Sequence, residues 1–171
     1  MKIAATQYSL QYKALEIYIS GCDGYCNKLN NSFICAGVAE ARCHNPELWD
    51  YQLGTDFRDT IFLQTLLEKI SLFNKNIEYI FILGGEPLLH KIDELEELLD
   101  LLSALKKKIV LFTRFDEDAV EIGRLKPYLF ATKFGAFDYA LRCNSINNIL
   151  GFPISLASKN QIIKKWGDNN D

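Results

Sequence analysis

Four cysteines, Cys22, Cys26, Cys35 and Cys43, fall within 22 residues, and His44 follows the last of them. Clustered thiolates are soft ligands suited to iron–sulfur clusters, zinc or copper. Further along, an apolar run ends on Gly84-Gly85-Glu86-Pro87. Consecutive glycines let a ligand approach the backbone closely, and with an acid beside them they suggest a cofactor site. A bare strand-to-helix turn accounts for Pro87 and one glycine, but not for two glycines and an acid. On spacing alone two readings stand open. One is an iron–sulfur site; the other is tetrahedral zinc held by Cys22, Cys26, Cys35 and Cys43, with His44 able to replace one.

The fifth cysteine, Cys143, has no thiol neighbour in sequence and reads as a small buried hydrophobe. An odd set of cysteines in a chain without a charged-then-apolar leader favours metal or redox chemistry over a disulfide framework. At 171 residues, 49% hydrophobic and 24% charged, the expectation is one globular domain over 1–171, its core needing no disulfide. A net charge of −3 with no basic block argues against a dedicated nucleic-acid binder. No apolar run is long enough to span a bilayer, so a cytoplasmic location away from membranes is expected.

The elements that must position these residues follow from periodicity. Leu15–Ile19 reads as a strand leading into Ser20-Gly21-Cys22, and residues 23–42 carry loop chemistry with a short helical turn near Val38–Arg42. Phe62, Leu66, Leu67, Ile70 and Phe73 recur at helical spacing after Asp59. Tyr79–Leu83 is a continuous apolar run of the kind that suits a strand covered on both faces. Ile92, Leu95, Leu98, Leu99, Leu102 and Leu105 mark an amphipathic helix, acidic at its start and with Lys106–Lys108 at its end, as the macrodipole favours. Ile109–Phe112 and Leu129–Phe134 are further strands, Asp116–Gly123 is a short helix, and Gly167–Asp171 is a tail. The alternation implies an α/β fold with a mostly parallel sheet and flanking helices. Cys22, Gly84, Thr113 and Gly135 then fall at strand carboxyl ends, where such sheets bind ligands.

Four islands carry a resemblance to the radical S-adenosylmethionine (SAM) activating enzymes, most of all to the activases of anaerobic (class III) ribonucleotide reductases. They are Ile19-Ser20-Gly21-Cys22, Cys43 through Asp50, Gly84 through Leu88, and Lys133-Phe134-Gly135-Ala136-Phe137 with Ser158-Lys159-Asn160-Gln161 beyond it. The resemblance implies a partial (β/α) barrel and a [4Fe–4S] cluster whose open iron chelates SAM. It assigns ligand roles to Cys22, Cys26 and Cys43. The chain reads C-x3-C-x16-C where relatives read C-x3-C-x2-C, so a loop at about 27–42 is inserted between ligands, and Cys35 within it is an alternative ligand. Loop closure tolerates such an insertion, since each doubling of length costs only about 0.6 kcal/mol.

The same resemblance places Gly84, Gly85, Glu86, Pro87, Asn45, Thr113 and Lys133 at the SAM site, with Glu86 facing the ammonium of the methionine moiety. Trp49 packs beneath the cluster loop, and Asn160 and Gln161 position SAM or the substrate loop. Arg42 stands where many relatives carry an aromatic near the adenine, leaving Tyr25 or the inserted loop for that packing. Arg114 replaces a glycine usual in relatives and reaches either the SAM carboxylate, a partner or a surface salt bridge. The implied activity is reductive cleavage of SAM to generate a glycyl radical on the large subunit of an anaerobic ribonucleotide reductase, with a flavodoxin-like electron donor. Alternatives are activation of another glycyl-radical enzyme, small-molecule chemistry like that of 7-carboxy-7-deazaguanine synthase, and a non-catalytic zinc or partner-binding domain.

Overall fold

Two apolar runs, Ala14–Ile19 (β2) and Tyr79–Gly84 (β4), pair in parallel with Leu15 opposite Ile80 and Ile19 opposite Gly84. They lie within the sheet that organises a computed structural model of the chain, which describes residues 1–24, 45–119 and 122–167. Lys108–Phe112 (β5) and Ala131–Phe134 (β6) continue the parallel array. Antiparallel strands flank it: Lys2–Ser9 (β1) and the two-residue Thr55–Asp56 (β3) on one side, Ile162–Lys165 (β9) on the other. The order is β3-β1-β2-β4-β5-β6-β9, and no closed barrel forms among the described residues. Arg142–Asn147 (β7) and Ile154–Ser158 (β8) make a separate two-stranded ribbon.

Helices cover one face of this sheet. Thr60–Phe73 (α1) starts where the Asp59 carboxylate accepts the Phe62 N–H at 2.9 Å, an N-cap. Ile92–Ser103 (α2) opens with Asp93 and Glu94 near its N-terminal dipole and buries Leu95, Leu98, Leu99 and Leu102. Ile122–Leu125 (α3) adds Ile122 and Leu125. These side chains pack on Leu15, Ile17, Ile19, Ile80, Ile82, Ile109 and Leu111. Alternation along a strand sends the other set to the opposite face. There Tyr79, Phe81, Val110, Phe130 and Ala131 are covered by Leu150, Ile154 and Leu156 from the ribbon and its connecting loop.

The structure corrects several expectations. Helix α2 stops at Ser103, and Lys106 takes a positive φ of 52°, so the chain turns before the lysines and no basic residue sits in the last helical turn. Leu67 is exposed, whereas Leu66 and Ile70 of α1 lie deep in the core; the Phe73 side chain lies outside the description. Strand β6 begins at Ala131, after the 3-10 turn Lys126–Tyr128. The expected helix over Asp116–Gly123 is a 3-10 turn, Glu117–Ala119, followed by the start of α3, with residues 120–121 outside the description. Cys143 is no core residue: it lies half-buried in β7, hydrogen-bonded to Ser145 Oγ at 3.4 Å and the Leu156 carbonyl at 3.6 Å. The turn near Val38–Arg42 and tail residues 168–171 lie outside the described residues. Among the described residues, no helix is long and apolar enough to cross a membrane.

Candidate functional site

The carboxyl ends of β2, β4, β5 and β6 share one rim, and the loops leaving them are bound to each other by backbone contacts. Gly85 N–H donates to the Ile19 carbonyl at 2.7 Å, Glu86 N–H to Gly21 at 2.9 Å, and Gly21 N–H to Leu48 at 2.7 Å. This explains the paired glycines. A Cβ on Gly84 would lie 2.2 Å from the Ile19 oxygen, and one on Gly85 would lie 2.3 Å from the Gly21 oxygen. The close approach expected of a ligand is made here by the chain itself, which presses the Cys22 turn against the end of β4.

Glu86 is the hub of this rim. It is 2% exposed and N-caps the 3-10 turn that Pro87 opens, accepting the Leu88 N–H at 3.0 Å. Its carboxylate also accepts the Thr113 hydroxyl at 2.7 Å and the Arg114 backbone N–H at 2.8 Å. Burial pushes its pKa up, and these donors pull it back. The acid thus ties β4 to β5, with its oxygens engaged by protein donors.

Arg114 completes the tie to the Cys22 turn. Its guanidinium forks onto the Asp23 carboxylate, Nη1 to Oδ1 at 2.6 Å and Nη2 to Oδ2 at 3.2 Å, and its Nε lies 4.0 Å from Glu86. Of the roles weighed for Arg114, the ion pair is the one present, though at 10% side-chain exposure it is scarcely a surface one. Cys22 is half-buried, and its sulfur accepts the Gly24 N–H at 3.4 Å. Burial raises its thiol pKa, while that N–H and the Arg114 charge oppose the rise.

These groups line a cavity of about 430 Å³. Cys22, Gly84, Gly85, Glu86, Thr113, Arg114 and Lys133 contribute to it, as do the exposed Asn45 and the half-buried Trp49. Its volume is in the range of small-molecule and cofactor sites. Trp49 rests against Gly24, whose Cβ position is 3.2 Å from the indole. Pro87 is buried in the turn behind the rim and does not line the cavity. Lys133 Nζ donates to the Gly135 carbonyl at 2.7 Å. Asn160 and Gln161 brace the same loop, Nδ2 donating to Ala136 O at 2.8 Å and Nε2 to Gly135 O at 3.3 Å.

Of the four clustered cysteines only Cys22 belongs to the described residues; Cys26, Cys35, Cys43, His44, Tyr25 and Arg42 lie outside them. Among the described residues no three His, Cys, Asp or Glu side chains gather around a metal position. Three contributors were missed in the sequence. Asp23 is the ion-pair partner of Arg114, Tyr18 lines the cavity, and His90 Nε2 lies 2.7 Å from the Ser20 carbonyl, bracing the Cys22 turn from behind. Tyr51 is exposed beside Gly21, 5.5 Å from the His90 ring. Only adjacency to Cys22 signalled Asp23; nothing local signalled His90.

The sequence model of the family described as "4Fe-4S single cluster domain" matches residues 13–126, more than half of the chain. The chain therefore belongs to that family and is an iron–sulfur protein. The matched span runs from the residue before β2 to the residue after α3, and contains all four clustered cysteines, Gly84–Pro87 and Thr113. No curated protein and no solved structure matches the chain. The donor set is compatible with a cluster: the Cys22 thiol lines the cavity and takes a backbone N–H on its sulfur near an arginine, both of which favour a ligating thiolate against the burial that raises its pKa.

Proposed function

We propose that the chain is a radical SAM activase with a partial (β/α) barrel, which generates a glycyl radical on the large subunit of an anaerobic ribonucleotide reductase. The observation that carries this reading is the cavity itself. It brings Cys22, the Gly84–Glu86 turn, Thr113 and Lys133 from four parallel strands onto one rim, all positions the family resemblance marks. Cys22, Cys26 and Cys43 would hold the cluster, with Cys35 as the alternative to Cys26. When bound, the cluster supplies the electron for reductive cleavage of the SAM sulfonium, and so the means to remove a hydrogen atom from a glycine Cα.

The protein's own part is positional. Arg114 fixes the Cys22 turn through Asp23, and Glu86 fixes Arg114 and Thr113 through hydrogen bonds. With the Glu86 carboxylate and the Gly85 N–H so engaged, the backbone carbonyls of the glycine turn would be the groups that accept from the amino group of the SAM methionine moiety. Lys133, on the cavity wall with its ammonium held by the Gly135 carbonyl, would supply a positive charge toward the SAM carboxylate. Leu83 and Phe112 add apolar surface to the cavity lining, which would limit water around a reactive species. A flavodoxin-like donor is the proposed electron source.

Anaerobic incubation of the reconstituted protein with SAM, reductant and the reductase large subunit is expected to give 5′-deoxyadenosine and a glycyl doublet in the paramagnetic resonance spectrum. Formation of 5′-deoxyadenosine without the doublet, together with turnover of 6-carboxytetrahydropterin, would move the assignment to a small-molecule enzyme.

A further inference from the structure

One buried charge is used by nothing described so far. Glu16, in the middle of β2, is only 8% exposed. Its neighbours Gln7, opposite it on β1, and Tyr18, two residues along β2, both donate to the same oxygen, Oε2, the tyrosine at 2.8 Å. Oε1 has no donor among the described residues, and no cation pairs with the carboxylate. Burying a carboxylate without a countercharge is costly, and an amide or an apolar residue would satisfy the fold more cheaply. Burial and the Glu16 carboxylate push the Tyr18 phenol up to about 12, so the hydroxyl remains a donor to it.

The position of this carboxylate is informative. Glu16 and Tyr18 project on the sheet face opposite the helices, and Tyr18 lines the rim cavity. Glu16 lies two residues further from the rim, about 7 Å along the strand. Over β4 to β6 that face is covered by the β7–β8 ribbon, whereas Ala5 and Gln7 of β1 remain exposed beside Glu16. The open flank therefore leads to a buried carboxylate with no countercharge among the described residues, two strand positions below the cavity-lining Tyr18.

We infer that Glu16, held by Tyr18 and Gln7, is a subsite for a positively charged hydrogen-bond donor, a guanidinium or ammonium group, carried by the substrate segment that enters the rim cavity. That the cation belongs to the substrate rests on the function proposed above; the contact itself does not.

The test uses methylguanidinium as the probe, titrated at constant ionic strength into the isotopically labelled protein and followed by nuclear magnetic resonance. Saturable shifts are expected at the Gln7 side-chain amide and at Tyr18, with at least tenfold weaker binding in Glu16→Gln. The same variant is expected to melt at the wild-type temperature or above, because it removes an uncompensated charge while keeping an acceptor for Tyr18. Absence of saturable shifts in the wild type, equal affinity in the variant, or a lowered melting temperature for Glu16→Gln would overturn the inference. The experiment needs neither cluster nor SAM, so its failure leaves the activase reading standing, and loss of that reading leaves its outcome unchanged.

Discussion

Arg114 and Asp23 stand 91 residues apart in sequence and meet through a two-point hydrogen-bonded ion pair, joining the end of β5 to the residue that follows Cys22. Because Glu86 holds the Arg114 backbone at the same time, one chain of contacts runs from β4 through β5 to the Cys22 turn. The geometry makes Arg114 a positioning residue for that turn.

Replacing Arg114 by alanine is therefore expected to loosen the Cys22 turn and to destabilise the protein by about 1–2 kcal/mol, a value discounted because Asp23 is partly exposed. Arg114→Lys keeps the charge but loses the fork, so it should restore only part of the loss. Urea denaturation of both variants, with iron retention after reconstitution, measures this. Wild-type stability and iron content in Arg114→Ala would refute the clamp.

Gly85 makes a sharper case. An added methyl group would meet two backbone oxygens, Gly21 at 2.3 Å and Leu48 at 2.8 Å, neither of which can move independently of the rim. Gly85→Ala should cost roughly 3 kcal/mol. Gly123→Ala in α3, where a Cβ meets nothing within 4 Å, should be neutral or stabilising by up to about 1 kcal/mol. Equal melting temperatures for the two variants would contradict the packing described at the β2–β4 junction.

His90 gives a pH dependence with a definite sign. Burial lowers its pKa below the ordinary 6.5. The unfolded chain binds the proton near 6.5, whereas the folded chain binds it only at lower pH. Stability should therefore fall as pH drops from about 6.5 to the folded value, then level off with respect to this group. Denaturation midpoints at pH 7.5 and 5.5 should differ less in His90→Gln than in the wild type. An unchanged difference would remove His90 as the source.

The central strands and both long helices were legible because their signals are local: apolar runs for β2, β4 and β5, and a 3.6-residue period for α2. The glycine and cysteine islands were legible as unusual residue types at strand ends. What stayed hidden depends on distant pairing. Strand β1 carries a mixed KIAATQYS pattern because it is half-exposed beside the short edge strand β3. The ribbon strand β7 is polar, RCNSIN, with four of its six residues exposed, so it has no apolar signature. The sequence allowed Glu86 to be a ligand-facing anion, yet its three protein donors come from turns set by the fold. The role of Arg114 stayed open between the SAM carboxylate, a partner and a salt bridge because Asp23, which it pairs with, lies at the end of another strand.

The most direct test of a cluster at this rim is iron and acid-labile sulfide analysis of the anaerobically reconstituted chain beside Cys22→Ala, followed by addition of SAM and dithionite. The wild type is expected to bind four iron and four sulfide per chain, to release 5′-deoxyadenosine, and to lose both properties in Cys22→Ala. A colourless protein holding one zinc, without sulfide and without SAM cleavage, would contradict it.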